Sequence, residues 1–250
     1  MGYHTQDARY EFSGWSRRYD RDPLQNLLFK PSHRLMVQKF EPGEQRILDV
    51  GCGTSRFAAR VFKRFPKMEV VGLDLCIPML RASRDRFLGK SENRSSPNRE
   101  PAASVSSHAP RWVAVKQLPI SNFNLHLVQG DSEHLPFADN SFDLVTCSHS
   151  FHHYPKQAQV VAEMHRVLRD DGRLMIIDGD RDRWWGRLIF DVVVVLMEGR
   201  VKHLTGRAMA GLYQEAGFAD IEQFRRGGPL PFLLTIGRAV KEAQVQRMAA

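Results

Sequence analysis

One short run, Ile47-Leu48-Asp49-Val50-Gly51-Cys52-Gly53-Thr54-Ser55-Arg56-Phe57, carries the residue types best suited to holding a ligand. It reads as a buried strand that ends in a glycine-rich turn and opens a helix. Gly51 and Gly53 let the backbone take positive φ and let a ligand approach the main chain. Exposed amides at a helix N-terminus favour a negatively charged group. To this point a dinucleotide and another nucleoside-bearing cofactor fit equally well. Two details separate them. A dinucleotide fingerprint has a third glycine, which lets helix and strand pack closely, and that position here is Arg56. Asp49 stands two residues before the first glycine, where a carboxylate is poorly placed beside a pyrophosphate and suits a cationic ammonium group.

Those two details point to S-adenosylmethionine, which carries an amino acid and no phosphate. Further acids follow at strand ends. Val70-Val71-Gly72-Leu73-Asp74 is a hydrophobic strand closed by an acid about 20 positions after Gly53, placed to accept both ribose hydroxyls. Gly130-Asp131-Ser132 follows the next strand, where a carboxylate can accept from an exocyclic adenine amine. Leu135 to Val145 (LPFADNSFDLV) leads into the strand after that.

These groups need elements to position them, and the chain supplies an alternation of strand-like and helix-like segments. Strands are expected at 46–50, 69–73, 125–129, 142–147 and 173–177, and strand-like runs at 221–225 and 232–237. Helices are expected at 55–65, 77–88, 156–168 and 206–216. Helix 55–65 has Phe57, Ala58, Val61, Phe62 and Phe65 on one face, and Pro78 stands in the first turn of 77–88. Asp170-Asp171-Gly172 reads as a turn. Strands alternating with helices imply a doubly wound α/β sheet with right-handed crossovers and helices on both faces. In such sheets the ligand sits at the carboxyl ends of the strands.

A chain of 250 residues suits one domain. Three cysteines exclude a disulfide scaffold and suggest a reducing compartment. No segment reaches the roughly 18 apolar residues of a spanning helix, and the first residues lack a secretory pattern, so the cytoplasm is the default. The formal charge of +8 permits a polyanionic partner, but the basic residues are scattered, and a soluble basic surface is the simpler reading. Residues 89–110 are rich in Ser, Pro, Asn and Arg and read as a long flexible loop, an insertion spanning 89–124 with its return flank.

Taken together, LDVGCGT at 48–54, VVGLD at 70–74, GDSEHLPFADNSFDLV at 130–145, HHY at 152–154 and LRDDGRL at 168–174 resemble the class I S-adenosylmethionine-dependent methyltransferases. The likeness is greatest to the small-molecule branch that includes ubiquinone/menaquinone C-methyltransferases. It implies one Rossmann-like domain over 1–250, with a seven-stranded, mostly parallel sheet and one antiparallel C-terminal strand. Residues 1–40 would form an N-terminal cap segment and 178–216 a substrate-cap region. Carried over residue by residue, it gives Asp49, Gly51, Cys52 and Gly53 to the methionine end and the adenosyl moiety. It gives Asp74 to the ribose and Leu75 to the adenine face. Asp131 and Ser132 fall to the adenine edge, and Ser148 lies near the sulfonium. Trp15 to Asp20 is similar to the family's entry segment, which makes Tyr19 a further cofactor residue.

The resemblance also places His149, His152 and His153 after the fourth strand, facing substrate. His152 is the candidate general base for an oxygen or activated-carbon acceptor. Their H-x-x-H-H spacing lacks an acidic or cysteine partner, so no metal is expected. Cys52, Cys76 and Cys147 match no zinc spacing and read as small hydrophobes. The stretch from Trp184 to Met197 reads in three ways: a greasy pocket wall, an interfacial membrane contact through 183–197, or a buried core or dimer helix. The expected reaction is methyl transfer to a small hydrophobic or aromatic acceptor. RNA or protein methylation, and a non-catalytic cofactor-binding protein on the same fold, are the alternatives. Nucleic acid is thus permitted but not favoured, and the oligomeric state is unread.

Overall fold

The computed structural model describes residues 23–88, 118–120, 123–198, 201–228 and 230–241. The central sheet is built from β1 (Arg46–Val50), β2 (Glu69–Asp74), β3 (Leu118–Ile120), β4 (Leu125–Gln129), β5 (Phe142–Ser148), β6 (Leu168–Gly179), β7 (Phe218–Arg226) and β8 (Phe232–Ala239). Their spatial order is β3-β4-β2-β1-β5-β6-β8-β7. Strands β4, β2, β1, β5 and β6 pair in parallel. Strand β8 is antiparallel to both neighbours, β6 and β7, so it runs against the parallel strands and β7.

This is the expected seven-stranded, mostly parallel sheet with one reversed C-terminal strand. The structure adds an eighth strand. β3, three residues long, pairs antiparallel with β4 at the edge. It comes from the return flank of the expected 89–124 insertion; residues 89–117 and 121–122 lie outside the described residues. An edge is where Pro119, with no amide hydrogen to give the ladder, is tolerated.

Helices cover both faces, as the continuous burial of β1, β2 and β5 requires. On one side, α1 (Pro23–Gln38), α2 (Arg56–Arg64) and α3 (Ile77–Leu88) enclose Ile47, Val70, Leu125, Leu127 and Leu144 with Met36, Phe57, Val61 and Leu80. On the other, α4 (Gln157–Val167) and α7 (Gly206–Glu215) pack Val160, Met164, Met209 and Tyr213 on Leu48, Val50, Val71 and Leu174. The apolar face expected for α2 is the buried one. α1 is an element that the sequence pattern does not announce. It lies on α2, with the Phe40 ring 5.6 Å from Phe65 and 6.2 Å from Phe57. Between β6 and α7 runs a helical rod: α5 (Trp184–Leu188), a π turn (Ile189–Val193) and α6 (Val194–Glu198).

The chain direction reverses its order beside β1, which has β2 on one side and β5 on the other. That switch point opens a crevice at the strand carboxyl ends, the place where open α/β sheets take their ligands.

Candidate functional site

A cavity of about 1160 Å³, counted to its open mouth, fills this crevice. Asp49, Gly51, Cys52, Gly53, Asp74, Leu75, Asp131, Ser132 and Ser148, all named from the sequence, line it together. Tyr19 lies outside the described residues. The acids come from β1, β2 and the turn after β4, and Ser148 from the end of β5. Three strand spacings separate β4 from β5, roughly 14 Å, enough for an extended nucleoside.

Asp49 pairs across to Thr146, whose hydroxyl donates to Asp49 Oδ1 at 3.0 Å. Burial pushes the Asp49 carboxyl up to about 7, opposed by the Thr146 hydrogen bond and reinforced by Asp74. Asp74 is gripped by the backbone: Gly53 N–H donates to Oδ2 and Cys76 N–H to Oδ1, both at 2.8 Å. Burial raises its pKa, and those two donors oppose the rise. Each carboxylate oxygen keeps a further acceptor position. Asp131 Oδ1 accepts from Glu133 N–H at 2.9 Å and is fixed in the same way.

The glycine turn's own amides are engaged within the protein. Gly51 N–H and Cys52 N–H both donate to Leu73 O at 2.8 and 3.0 Å, and Gly53 N–H is taken by Asp74. With Asp49 beneath it, the turn favours a cationic ligand group. Gly51 is at φ +69, and a Cβ there would collide with Ser150 Oγ and Tyr154 OH. Gly53 is at φ +53 and a Cβ there would meet open space. Ser55 holds a left-handed conformation at φ 53, unusual for a residue with a Cβ, and its hydroxyl accepts from Ser83 at 2.7 Å in the core. Arg86 ties the turn from α3 by donating to Thr54 O at 2.9 Å.

The other end of the cavity is mainly aromatic, with Arg56 also among its lining residues. α1 brings Phe29 and His33 to it, and the loop after β5 brings His149, His153 and Tyr154. His149 lies tilted against Phe29 at 4.5 Å and meets Phe232 edge-on at 4.7 Å. Ser32 hydroxyl donates to Phe29 O at 2.8 Å, so its contact with His149 Nε2 at 2.6 Å makes that nitrogen the donor. Nδ1 is left as the acceptor atom of a neutral ring. Burial pulls the His149 imidazole down to about 3, against the field of Asp178. Burial likewise lowers His33 and His153 well below the ordinary histidine value. Three imidazoles therefore face the cavity uncharged at neutral pH.

His152 is not among the lining residues. Its Nδ1 donates to Asp178 Oδ1 at 2.7 Å, and its backbone N–H donates to Oδ2 at 3.0 Å. Burial alone would raise Asp178, but His152 and His203 hold it well below the usual carboxylate range. The His203 ring stacks on His152 at 4.2 Å. Asp178 is a partner the sequence reading missed. Strand register brings the two together: Ser148 pairs with Ile177, so the loop just past β5 neighbours the last residues of β6. His152, Asp178 and His203 do bring three ligand atoms within 4.8 Å of one another. The 2.7 Å separation is a hydrogen bond, shorter than the roughly 3.3 Å between ligands around a tetrahedral zinc. All three cysteines are buried free thiols, and burial raises Cys52 well above the ordinary value and Cys147 to about 12. Ser148 Oγ is buried without a hydrogen-bond partner among the described residues.

With this geometry in place, comparison with known proteins is decisive for the family. The model of the methyltransferase domain matches residues 48–176. The chain belongs to the methyltransferase domain family. It is 34% identical over 172 residues to the ubiquinone/menaquinone biosynthesis C-methyltransferase of Dinoroseobacter shibae, covering 67% of this chain and 56% of that protein. It is 33% identical over 170 residues to the malonyl-[acyl-carrier protein] O-methyltransferase of Laribacter hongkongensis, covering 67% and 48%. The chain thus spans about half the length of these curated relatives. A solved S-adenosylmethionine-dependent methyltransferase of Thermotoga maritima, described as a possible histamine N-methyltransferase, has the same fold. Its TM-score is 0.64 at 17% identity, with 92% of this chain and 99% of that one covered. The matched segment of this methyltransferase-family chain runs from the strand before Gly51 to β6. It contains every acid of the cavity and leaves out α1 and the rod after β6.

Proposed function

We propose that the protein is an S-adenosylmethionine-dependent methyltransferase that methylates oxygen or carbon on a small hydrophobic or aromatic metabolite. One observation carries the reading: a cavity with carboxylates at one end, a glycine turn whose Gly51, Cys52 and Gly53 amides are bonded within the protein, and an aromatic wall with three neutral imidazoles at the other. When bound, S-adenosylmethionine supplies a sulfonium-activated methyl group. The residues present fit it. Asp49 offers a carboxylate to the ammonium group. Asp74, oriented by Gly53 and Cys76, offers its remaining acceptor positions to the ribose hydroxyls. Asp131 and Ser132 meet the adenine edge, and Leu75 packs on its face. The unpartnered Ser148 hydroxyl is free to bond cofactor or acceptor near the reacting centre.

The aromatic end would hold a flat, uncharged acceptor against Phe29, Phe57 and His149. Orientation in a closed site supplies much of the rate. For an acceptor that must lose a proton, His152 is the candidate base. Asp178 accepts the hydrogen bond of its Nδ1–H, which leaves Nε2 as the basic nitrogen. Its ring lies 4.1 Å from His153, so that role requires the acceptor to reach past the His153 ring. Relatives named for a quinone and for an acyl-carrier-protein ester support a small-molecule acceptor over nucleic acid. Among the described residues no helix is long and apolar enough to cross a membrane; a cytoplasmic site of action is part of the proposal.

The test is calorimetric titration of S-adenosylmethionine into wild type and Asp74→Ala, with NAD as control. Micromolar binding to wild type, at least about 100-fold weaker in the variant, and no NAD binding are the expected results. A folded wild type that binds no S-adenosylmethionine overturns the proposal.

A further inference from the structure

The rod formed by α5, the π turn and α6 presents an apolar stripe to solvent. Trp184 is 75% exposed, Leu188 56% and Leu196 82%, with Val192 and Val195 also open. Steps of four, four and three or four residues align them along one face. The opposite face is anchored. Phe190 packs on His203 at 4.6 Å and against Gly179, where a Cβ would meet its ring at 2.6 Å. Gly186 lies against the Asp180 carbonyl. The side that faces outward is therefore fixed by packing. Isolated apolar side chains on a surface are ordinary; a continuous row on one helix marks a contact surface.

The rim of the stripe is basic. Arg183 and Arg187 are exposed, and Arg183 lies over the Trp185 ring at 5.0 Å. Among the described residues neither has an acidic partner. Of the rod's two acids, Asp191 and Glu198, the one a turn from Arg187, Asp191, is neutralised by Arg181 at 2.6 Å. We infer that this face docks the protein on a membrane surface bearing anionic headgroups. Tryptophan and leucine would enter the interface, and the arginines would reach the phosphates. The rod is too short to span, so it would lie in the plane. Two arguments choose the membrane over a second copy of the chain. Five side chains of one helix offer less than the roughly 800 Å² per partner of a standard protein interface, and shallow insertion needs no such area. Arginines with no acidic partner among the described residues, beside a tryptophan, are complementary to headgroup phosphate, and the chain carries +8 overall.

The rod leaves β6 at the strand end that also bounds the cavity: His149 N–H donates to Ile177 O at 2.9 Å, one residue before Asp178. Docking would bring the aromatic end of the cavity near the lipid. The inference stands on the surface alone and holds whether or not the proposed reaction does.

The test is co-sedimentation of the full chain with vesicles of phosphatidylcholine alone and of phosphatidylcholine with an equal part of phosphatidylglycerol. Wild type should bind the anionic vesicles at least about tenfold more tightly, since each arginine contributes a factor of about five. The double variant Leu188→Gln/Leu196→Gln should lose at least about tenfold, and Arg183→Glu/Arg187→Glu should lose the preference for anionic lipid. All four positions are exposed, and an unchanged unfolding midpoint verifies the fold. Absence of wild-type binding overturns the inference. So does binding unaffected by the Leu variant. Self-association that the Leu variant abolishes would assign the stripe to a second copy and overturn it as well.

Discussion

The two ends of the cavity are built by different physics. At the acidic end, side chains are held by backbone: Asp74 by two amides, Asp131 by one, and the Gly51 turn by Leu73 O. At the aromatic end, side chains are held by each other: Phe29 on His149, His149 on Phe232, His33 on Phe57. The first arrangement can change little without breaking the sheet. The second can exchange ring for ring and still pack. That contrast is in keeping with relatives of similar identity whose names differ in acceptor, a ubiquinone/menaquinone biosynthesis C-methyltransferase and a malonyl-[acyl-carrier protein] O-methyltransferase.

The sharpest way to break the acidic end is Gly51→Ala. A left-handed φ and a collision with Ser150 and Tyr154 act together, and the loss of stability should be about 3 kcal/mol or more. Denaturant unfolding measures it, and S-adenosylmethionine binding should disappear with it. A variant as stable as wild type would mean that the turn is not the rigid part. At the other end, Phe29→Ala and His149→Phe should leave cofactor affinity within about twofold. They should lower kcat/KM at least about tenfold on whichever acceptor a screen of phenols and quinones yields, a cost of ~1.4 kcal/mol in transition-state binding. A large loss of cofactor affinity in either variant would erase the distinction between the two ends.

How much of this was legible in the sequence follows the same division. Parallel strands buried on both faces appear as unbroken apolar runs, and at their ends a glycine or an acid stands out: Asp49 and Asp74 are each the first polar break within or after such a run, and Asp131 follows β4 in the Gly130 turn. The aromatic end left no such trace. α1 contains Pro31 and has little apolar periodicity; it is a helix because Met36 and Phe40 have α2 and the sheet to pack on. The pairing of His152 with Asp178 joins residues 26 apart through sheet register, and sequence patterning reports period but not which strand end lies beside which. The eighth strand is three residues long, below what alternation can reveal. The rod was legible as apolar and open to three readings, because the direction of its exposed face depends on Phe190 and Gly186.

The pH dependence of cofactor binding gives a medium-sized test of the acidic end. Asp49 has a carboxyl near 7 in the empty protein, and an ammonium ligand requires the ionised form. Affinity should be full above about pH 8 and should fall as pH drops below 7. At pH 6 about one molecule in ten is ionised, so binding should be about tenfold weaker. The contribution to folding has the opposite sense. The folded value lies above the unfolded one because burial penalises the charge, so stability from this group declines as pH rises from about 4 to 7. Asp49→Asn should bind weakly at every pH and abolish the dependence. A pH-independent wild type would mean that Asp49 does not meet the ammonium group.

The smallest expected effect is the most discriminating about cause. Thr146 supports Asp49 through one hydrogen bond to the ionised form, worth about 1 to 2 kcal/mol in a buried setting. Thr146→Val keeps the shape and removes the hydroxyl. The Asp49 carboxyl should then titrate higher, because the one interaction that lowers it is gone while burial and Asp74 remain. The midpoint of the pH–affinity curve should move up by about one unit, which weakens binding several-fold at pH 7 and little at pH 9. The aromatic end, which touches neither residue, should transfer methyl groups at an unchanged kcat once cofactor is saturating. If kcat fell instead and the midpoint stayed in place, Thr146 would be acting through sheet packing, and the rigidity of the acidic end would reside in the strands and not in the charges they carry.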